Sequence, residues 1–525
     1  MNPEPTAVRP KRRRRWLKWL AALFLLVVAY FGFVAARLFL FQPELEIGPE
    51  TTVVEGPLRP DGTIDFVAAL NDEWSQGVTP ENNAAVPLMQ AFGPSVVAPP
   101  IRKEFFERLG IEPSPEEGDY LVTLDEFLAV EEVGQGRREK LLQIVGDADA
   151  FQMASDYPEF EAWVERNAVP LEEIVKAGRR DQFYSPVLPV PPATTLNSID
   201  LAFIQRCRAA ARLLNTASML SLQRGDVTAA CQYSVAGHRL GRLVGRHPTM
   251  IGYLVGAAIE AIASKCSEMI LLSGQLTPEL AKQFRRDVDA LPPVADIAET
   301  VDRGERLVSL DAVQNTARGT AGTAVPTAIP GRILKGLDAN VMLRDFNRFY
   351  DEIVSAMRES DFQERQRRLG ESGQLQQTWL ESKPGVVRAA WMLLTGNRSL
   401  LSQQVSKILI SLLFPAVTQA QVAEDRTVMR SQLLTVACAL AEYRAVEGAY
   451  PETLDALQPK YLDEIPIDFY ADAPLKYERV GEAFRLYSIG QNGQDDGGLT
   501  FGEGESNNCD DLRFGISPDE APAVE

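Results

Sequence analysis

Residues 198–274 read SIDLAFIQRCRAAARLLNTASMLSLQRGDVTAACQYSVAGHRLGRLVGRHPTMIGYLVGAAIEAIASKCSEMILLSG. Leu201, Ile204, Ala211, Leu214, Ala217 and Leu220 recur at helical spacing, giving a stripe that buries against a neighbour. Ser198 and Asp200 suit the start of this helix, which runs to about residue 224. Gly225-Asp226 turns the chain into a second helix, broken by His247-Pro248. A third spans about 249–272, Gly274 stops it, and Thr277-Pro278-Glu279 opens a fourth. Helices of about 20 residues on short turns form antiparallel hairpins. Residues 198–317 are therefore expected as a helical-hairpin, solenoid-like domain, although no strict repeat is present.

Working outward, residues 1–15 are a basic tail, with Arg9, Lys11 and Arg12 to Arg15 against Glu4 alone. Residues 16–41, WLKWLAALFLLVVAYFGFVAARLFLF, hold 18 uncharged residues between Lys18 and Arg37. That length approaches the span of a bilayer's hydrocarbon core. The basic cluster before it, with Glu44 and Glu46 after it, predicts an N-terminus in the cytoplasm and a body beyond the inner membrane. The rival reading is a cleaved signal: RRRWLK at 13–18 resembles a twin-arginine motif and Val34-Ala35-Ala36 offers a cut. No second span is expected, because other apolar stretches such as 251–272 contain charges at helical spacing.

Residues 42–197 are expected as a stalk, to about residue 65, followed by mixed short helices and loops. These include two helices within 65–92 and further ones at 121–133, 158–166 and 170–179. Residues 184–195, YSPVLPVPPATT, carry too much proline for a helix or an inner strand. They suit a loop packed across helices, or a polyproline surface for a partner. Residues 318–400 read as a small-residue linker, a charged amphipathic helix over 337–369 and a shorter helix over 386–394.

The chain of 525 residues carries a net charge of −19 despite its basic start, so its body repels phosphate backbones and nucleic acid is excluded as a partner. The five cysteines lack metal-ligand or redox spacing and read as small buried hydrophobes, with a Cys207–Cys231 bridge as the alternative. His238 and His247, the only histidines, are nine residues apart and read as exposed or capping groups. GxSxG, Walker and dinucleotide fingerprints are all missing. No catalytic residue is assigned.

Residues 401–447 predict one long helix, and 448–515 a small α+β unit. Gly448-Ala-Tyr450-Pro451 turns into a short helix, 474–477 and 484–489 alternate like two strands, and GQNGQDDGG at 490–498 supplies turn chemistry. Residues 516–525 are expected as a disordered tail. This order resembles the major pseudopilin of type II secretion and related type IV pilin-like proteins over about 110 residues. The chain departs from them in that the helix is internal and lacks the N-terminal processing site. The whole chain also resembles membrane-anchored bacterial envelope proteins, which implies no activity.

The resemblance implies a calcium-binding C-terminal loop, for which this sequence offers Asn492, Asp495, Asp496, Asp510 and Asp511. The competing reading makes Asn492-Gly493 a tight turn and the aspartates its solvated flank. The fold class expected is mainly α, with an N-terminal transmembrane helix and a small C-terminal antiparallel-sheet unit. The function expected is a non-catalytic scaffold or protein-binding role in the envelope, associated with secretion-type machinery and touching the lipid bilayer through residues 16–41. The alternative is a periplasmic hydrolase or carbohydrate-active enzyme using a carboxylate pair in the helical body.

Overall fold

Local caps start the helices that surround the sequence's central stripe. In a computed structural model describing residues 13–39, 43–146, 157–317, 336–381, 395, 397–503 and 508–516, Asp226, Thr249 and Thr277 each accept a backbone N–H from the first turn they precede. The N-terminal half contains α1 (Arg13–Phe39), α2 (Phe66–Trp74), α3 (Ala85–Phe92), α4 (Arg102–Leu109), α5 (Leu124–Val130), α6 (Gln135–Gly146), α7 (Pro158–Arg166) and α8 (Ala168–Ala177). The hairpins follow as α9 (Ala202–Gln223), α10 (Val227–Val244), α11 (Met250–Leu272) and α12 (Pro278–Asp289). After α13 (Ile297–Glu299) and a π-helical stretch, Thr300–Glu305, come α14 (Arg306–Ala317), α15 (Ala339–Met357), α16 (Phe362–Glu381) and α17 (Arg398–Glu447). Among the described residues helix accounts for 63% and the named strands all lie in the C-terminal part, so the fold is mainly α as expected.

The chain divides into two units. One comprises the described residues of 1–64, 310–349 and 374–412. In it α1 exposes most of its apolar side chains, among them Trp19, Phe24, Leu25 and Leu26. Residues 43–64, expected as a stalk, lie against helices: Asn340 bonds Glu44 O and Glu46 N, while Gln314 exchanges two hydrogen bonds with the Ile64 backbone.

The other unit comprises the described residues of 65–309, 350–373 and 413–525. Its centre is α9, α10 and α11, whose small residues permit close approach. A Cβ on Gly256 would stand 2.4 Å from Gly245 N, and one on Gly241 2.9 Å from the Glu260 side chain. The loop at 184–195 packs as an ordered segment, with the Asn71 side chain accepting from Val187 N and Tyr184 Oη. In the C-terminal part β3 (Lys476–Val480), β4 (Ala483–Ser488) and β5 (Leu512–Gly515) form an antiparallel sheet in that order, preceded by the two-residue pair β1 (Ile467–Asp468) and β2 (Ala473–Pro474).

Two expectations change. The helix foreseen over 337–369 is two helices, because the Asp361 side chain accepts Glu364 N at 2.7 Å and restarts the chain as α16. The sheet has a third main strand, β5, too short to show alternation in the sequence. The five cysteines are buried, as expected, and the alternative Cys207–Cys231 bridge is not formed. The helix expected at 386–394 and the tail at 516–525 lie outside the described residues, save for Ile516.

Among the described residues, two helices are long and apolar enough to cross a membrane: Trp16–Val34, almost wholly exposed, and α17, about a third buried. The second contains Gln421 and Asp425, both buried in the part of the helix that belongs to the larger unit, which is the pattern of a core helix.

Candidate functional site

Turn chemistry at 490–498 folds the acidic loop onto itself. Gly490 has φ +69, and a Cβ there would lie 2.3 Å from Asp510 O, so only glycine lets the chain pass. The Asp510 carboxylate accepts Gln491 N and Asn492 N at 3.1 and 3.2 Å. Asp496 accepts Asp510 N and the Asn492 amide. Asp495 turns aside to Gly497 N, Tyr487 Oη and Lys476 Nζ. Asp511, 1% exposed, accepts Gly498 N at 2.8 Å, and burial pushes its carboxyl up to about 6.

The structure thus brings Asn492, Asp496 and Asp510 together, sets Asp511 under them and leaves Asp495 facing the sheet. Calcium takes six to eight oxygens, whereas these carboxylates are largely committed to N–H groups of their own loop. Among the described residues no group of three or more His, Cys, Asp or Glu side chains is placed to hold a metal ion. The residues as arranged do not fit a calcium cage.

Both histidines depart from the expectation of exposure. His247, 2% exposed, accepts Thr249 N at 3.2 Å just before α11, so its capping role holds; burial pushes its imidazole down to about 3 and keeps it neutral. His238 is fully buried on α10, where the glycine-lined approach of α11 brings Glu260 and Ser267 to its ring. Nδ1 lies 3.0 Å from Glu260 Oε2, and Nε2 lies 3.0 Å from Ser267 Oγ. Ser267 Oγ is 2.7 Å from Ser234 Oγ, and Ser234 borders a narrow cleft that also touches Asn215, Tyr233 and Cys266. Arg242 Nε donates to Glu260 Oε1 at 2.9 Å, and its other nitrogens reach Pro292 O and Ser431 Oγ.

Hydroxyl, imidazole and carboxylate in a row invite a hydrolase reading. Ser267 is fully buried, however, and Ser234 and Ser267 both sit mid-helix, where neighbouring N–H groups are spent on helical bonds and cannot form an oxyanion hole. The relay gives each of its own side chains, Ser234, His238, Arg242, Glu260 and Ser267, a polar partner, which is what a low-dielectric interior demands. It is a structural tie from α10 to α11 and, through Arg242, to α17.

A second polar centre lies on α17. Asp425 Oδ1 accepts Arg365 Nη2 at 2.9 Å and Gln421 Nε2 at 3.0 Å, while its Oδ2 is buried without a partner. Glu424 accepts Ile297 N at 2.9 Å and Gln421 Nε2 at 2.7 Å. Burial, opposed by those bonds and reinforced by Asp296 and Asp425, pushes Glu424 up to about 7. The hydroxyls of Tyr253 and Tyr470, each 2% exposed, also have no partner. Both phenols are pushed up, first by burial and then by the field of nearby carboxylates that include Asp425.

Sequence reasoning missed both centres. His238 and Glu260 are 22 residues apart on different helices, and the one local hint is the glycine series 237, 241 and 245 along α10 and at its C-cap. The adjacent pair Glu424-Asp425 has no motif around it. Comparison with protein-family models, curated proteins and solved structures gives no match.

Proposed function

We propose that this chain is a membrane-anchored envelope protein whose acidic body lies outside the cytoplasm and works by binding a protein partner, without catalysis. The observation that carries the reading is α1, an apolar helix that exposes Trp19, Phe24, Leu25 and Leu26 to whatever surrounds it and directly follows a basic run. Lipid is the solvent in which such a surface is stable. The binding role is supported by how the polar residues are used: the His238 relay and the Gly/Asp loop both spend their side chains on internal bonds. A link to secretion-type machinery belongs to the same proposal and rests on the pilin-like order of residues 401–515. Photo-crosslinking from surface positions of the body in intact cells tests it. Reproducible capture of one envelope protein supports the reading, and capture of none from any face contradicts it.

The hydrolase alternative draws on one observation, the Glu424-Asp425 pair with its raised carboxyl. The two are neighbours on one helix and Asp425 is 4% exposed and tied to Arg365, which leaves no substrate-sized gap between acid and base. Hydrolysis of a glycan or ester panel that disappears in Glu424→Gln would restore that alternative.

A further inference from the structure

The first part of α17 is built inside out. Its residues 398–412 belong to the same unit as α1, and three of the five that are buried there are serines: Ser402, Ser406 and Ser411, beside Val405 and Ile410. Ser402 Oγ accepts Asp338 N at 2.7 Å and donates to Arg398 O at 2.9 Å, while Ser411 Oγ donates to Lys407 O at 2.7 Å and lies 3.5 Å from Gln376 O on α16. The large apolar side chains take the outer face. Ile408 is 44% and Leu412 54% exposed, one turn apart, and the half-buried Leu401 stands two turns before Ile408 on the same face.

Water does not favour that arrangement, because it leaves leucine and isoleucine wet while serines hold the covered positions. An apolar surrounding reverses the preference: small and hydroxyl residues go to the contacts between helices, and apolar ones face outward. Charge points to the same occupant. From Arg398 to Ala423 the sequence has no Asp or Glu, although acidic residues make up 72 of the chain's 525, and its only charges there are Arg398 and Lys407. Lys407 Nζ lies 5.4 Å over the Trp379 ring, a cation and an aromatic ring of the kinds that sit at the edge of a bilayer. The opposite side stays out of hydrocarbon. Asp338, which gives its N–H to Ser402, caps α15, and α15 carries Arg344, Asp345 and Arg348.

We infer that the outer face of α17 around Leu401, Ile408 and Leu412 rests in the boundary between headgroups and acyl chains of a bilayer. It lies on the membrane without crossing it, as a second lipid contact that restrains this unit beside the α1 anchor. The contact rests on the anchoring proposed for α1.

The test places one nitroxide label at a time, on Leu412→Cys, Phe24→Cys or Lys103→Cys, in the full chain in nanodiscs of phosphatidylethanolamine with phosphatidylglycerol; the five native cysteines are buried. Collision with oxygen, which concentrates in lipid, is compared with collision with a water-soluble nickel chelate. The expected result is a label at 412 that oxygen reaches and nickel does not, at a depth of about 5–10 Å into the boundary. The label at 24 should lie deeper, and the one at 103 should be open to nickel. A label at 412 open to nickel while that at 24 stays shielded would overturn the contact and leave the anchor standing. Labels at 412 and 24 both open to nickel would remove the anchor and the contact with it. A label at 412 shielded from both reagents would show a protein cover, either a second copy or a partner, and would overturn the lipid contact as well.

Discussion

His238 Nδ1 and Glu260 Oε2 lie 3.0 Å apart in the middle of the α10–α11 hairpin, and neither side chain reaches solvent. Removing one partner strands the other: Glu260 without His238 keeps Arg242 but loses the ring nitrogen it faces, and Ser267 loses its ring partner too. His238→Ala is expected to cost about 3 kcal/mol, the upper range for breaking a buried charge-assisted tie and leaving a cavity. Urea unfolding measures it. A loss under about 1 kcal/mol would show that water replaces the ring and that the relay is not structural.

Close approach of these helices gives a second expectation. Gly256→Ala puts a methyl group 2.4 Å from Gly245 N, against backbone that cannot swing aside. It should destabilise by about 1–3 kcal/mol through overpacking. Gly370→Ala on α16 meets nothing within 4 Å and should instead stabilise by about 0.5–1 kcal/mol, the ordinary gain of alanine over glycine in a helix. Opposite signs for two identical substitutions are the signature; equal signs would refute the packing argument.

How far the sequence anticipated all this follows from where each signal is written. Asp226, Thr249 and Thr277 mark helix starts within three residues of themselves, and the hairpins were legible for that reason. Asp361 with Glu364 is the same kind of local mark, and it was overlooked inside a strongly amphipathic run. The four residues of β5 are too few to carry a period. His238, Glu260 and Ser267 become neighbours only once two helices pack, and no spacing rule encodes that. The residues chosen for calcium did gather, but to bond their own loop's N–H groups.

Stability should fall as pH rises through the range in which Glu424 titrates. Its carboxyl is raised from 4.5 to about 7 in the folded chain by burial, so between those values the native state holds a proton that the unfolded state has released. The contribution is fully present below about 4.5 and lost as pH climbs through about 7. Glu424→Gln removes this slope, making the variant the more stable of the two above pH 7. Unfolding midpoints at about pH 5 and pH 8 test it, and a wild-type-like slope in the variant would contradict it.

Calcium should not matter to the C-terminal loop. Its carboxylates already accept Gln491, Asn492, Gly497 and Gly498 N–H groups. Unfolding of residues 43–525 with millimolar calcium or with chelator is expected to give the same midpoint within about 1 °C. A calcium-dependent rise that disappears in the Asp495→Ala/Asp496→Ala double variant would show that the loop rearranges around the ion.

The anchor is the claim on which the rest of the account stands, and protease accessibility of the full chain in a bacterial host tests it most directly. The account predicts that the chain stays with membranes through alkaline extraction. Added protease should remove the body once the outer membrane is opened, leaving a protected fragment of the basic tail and α1. A soluble body with a new N-terminus after residue 36, or a body shielded until the inner membrane is lysed, would contradict it.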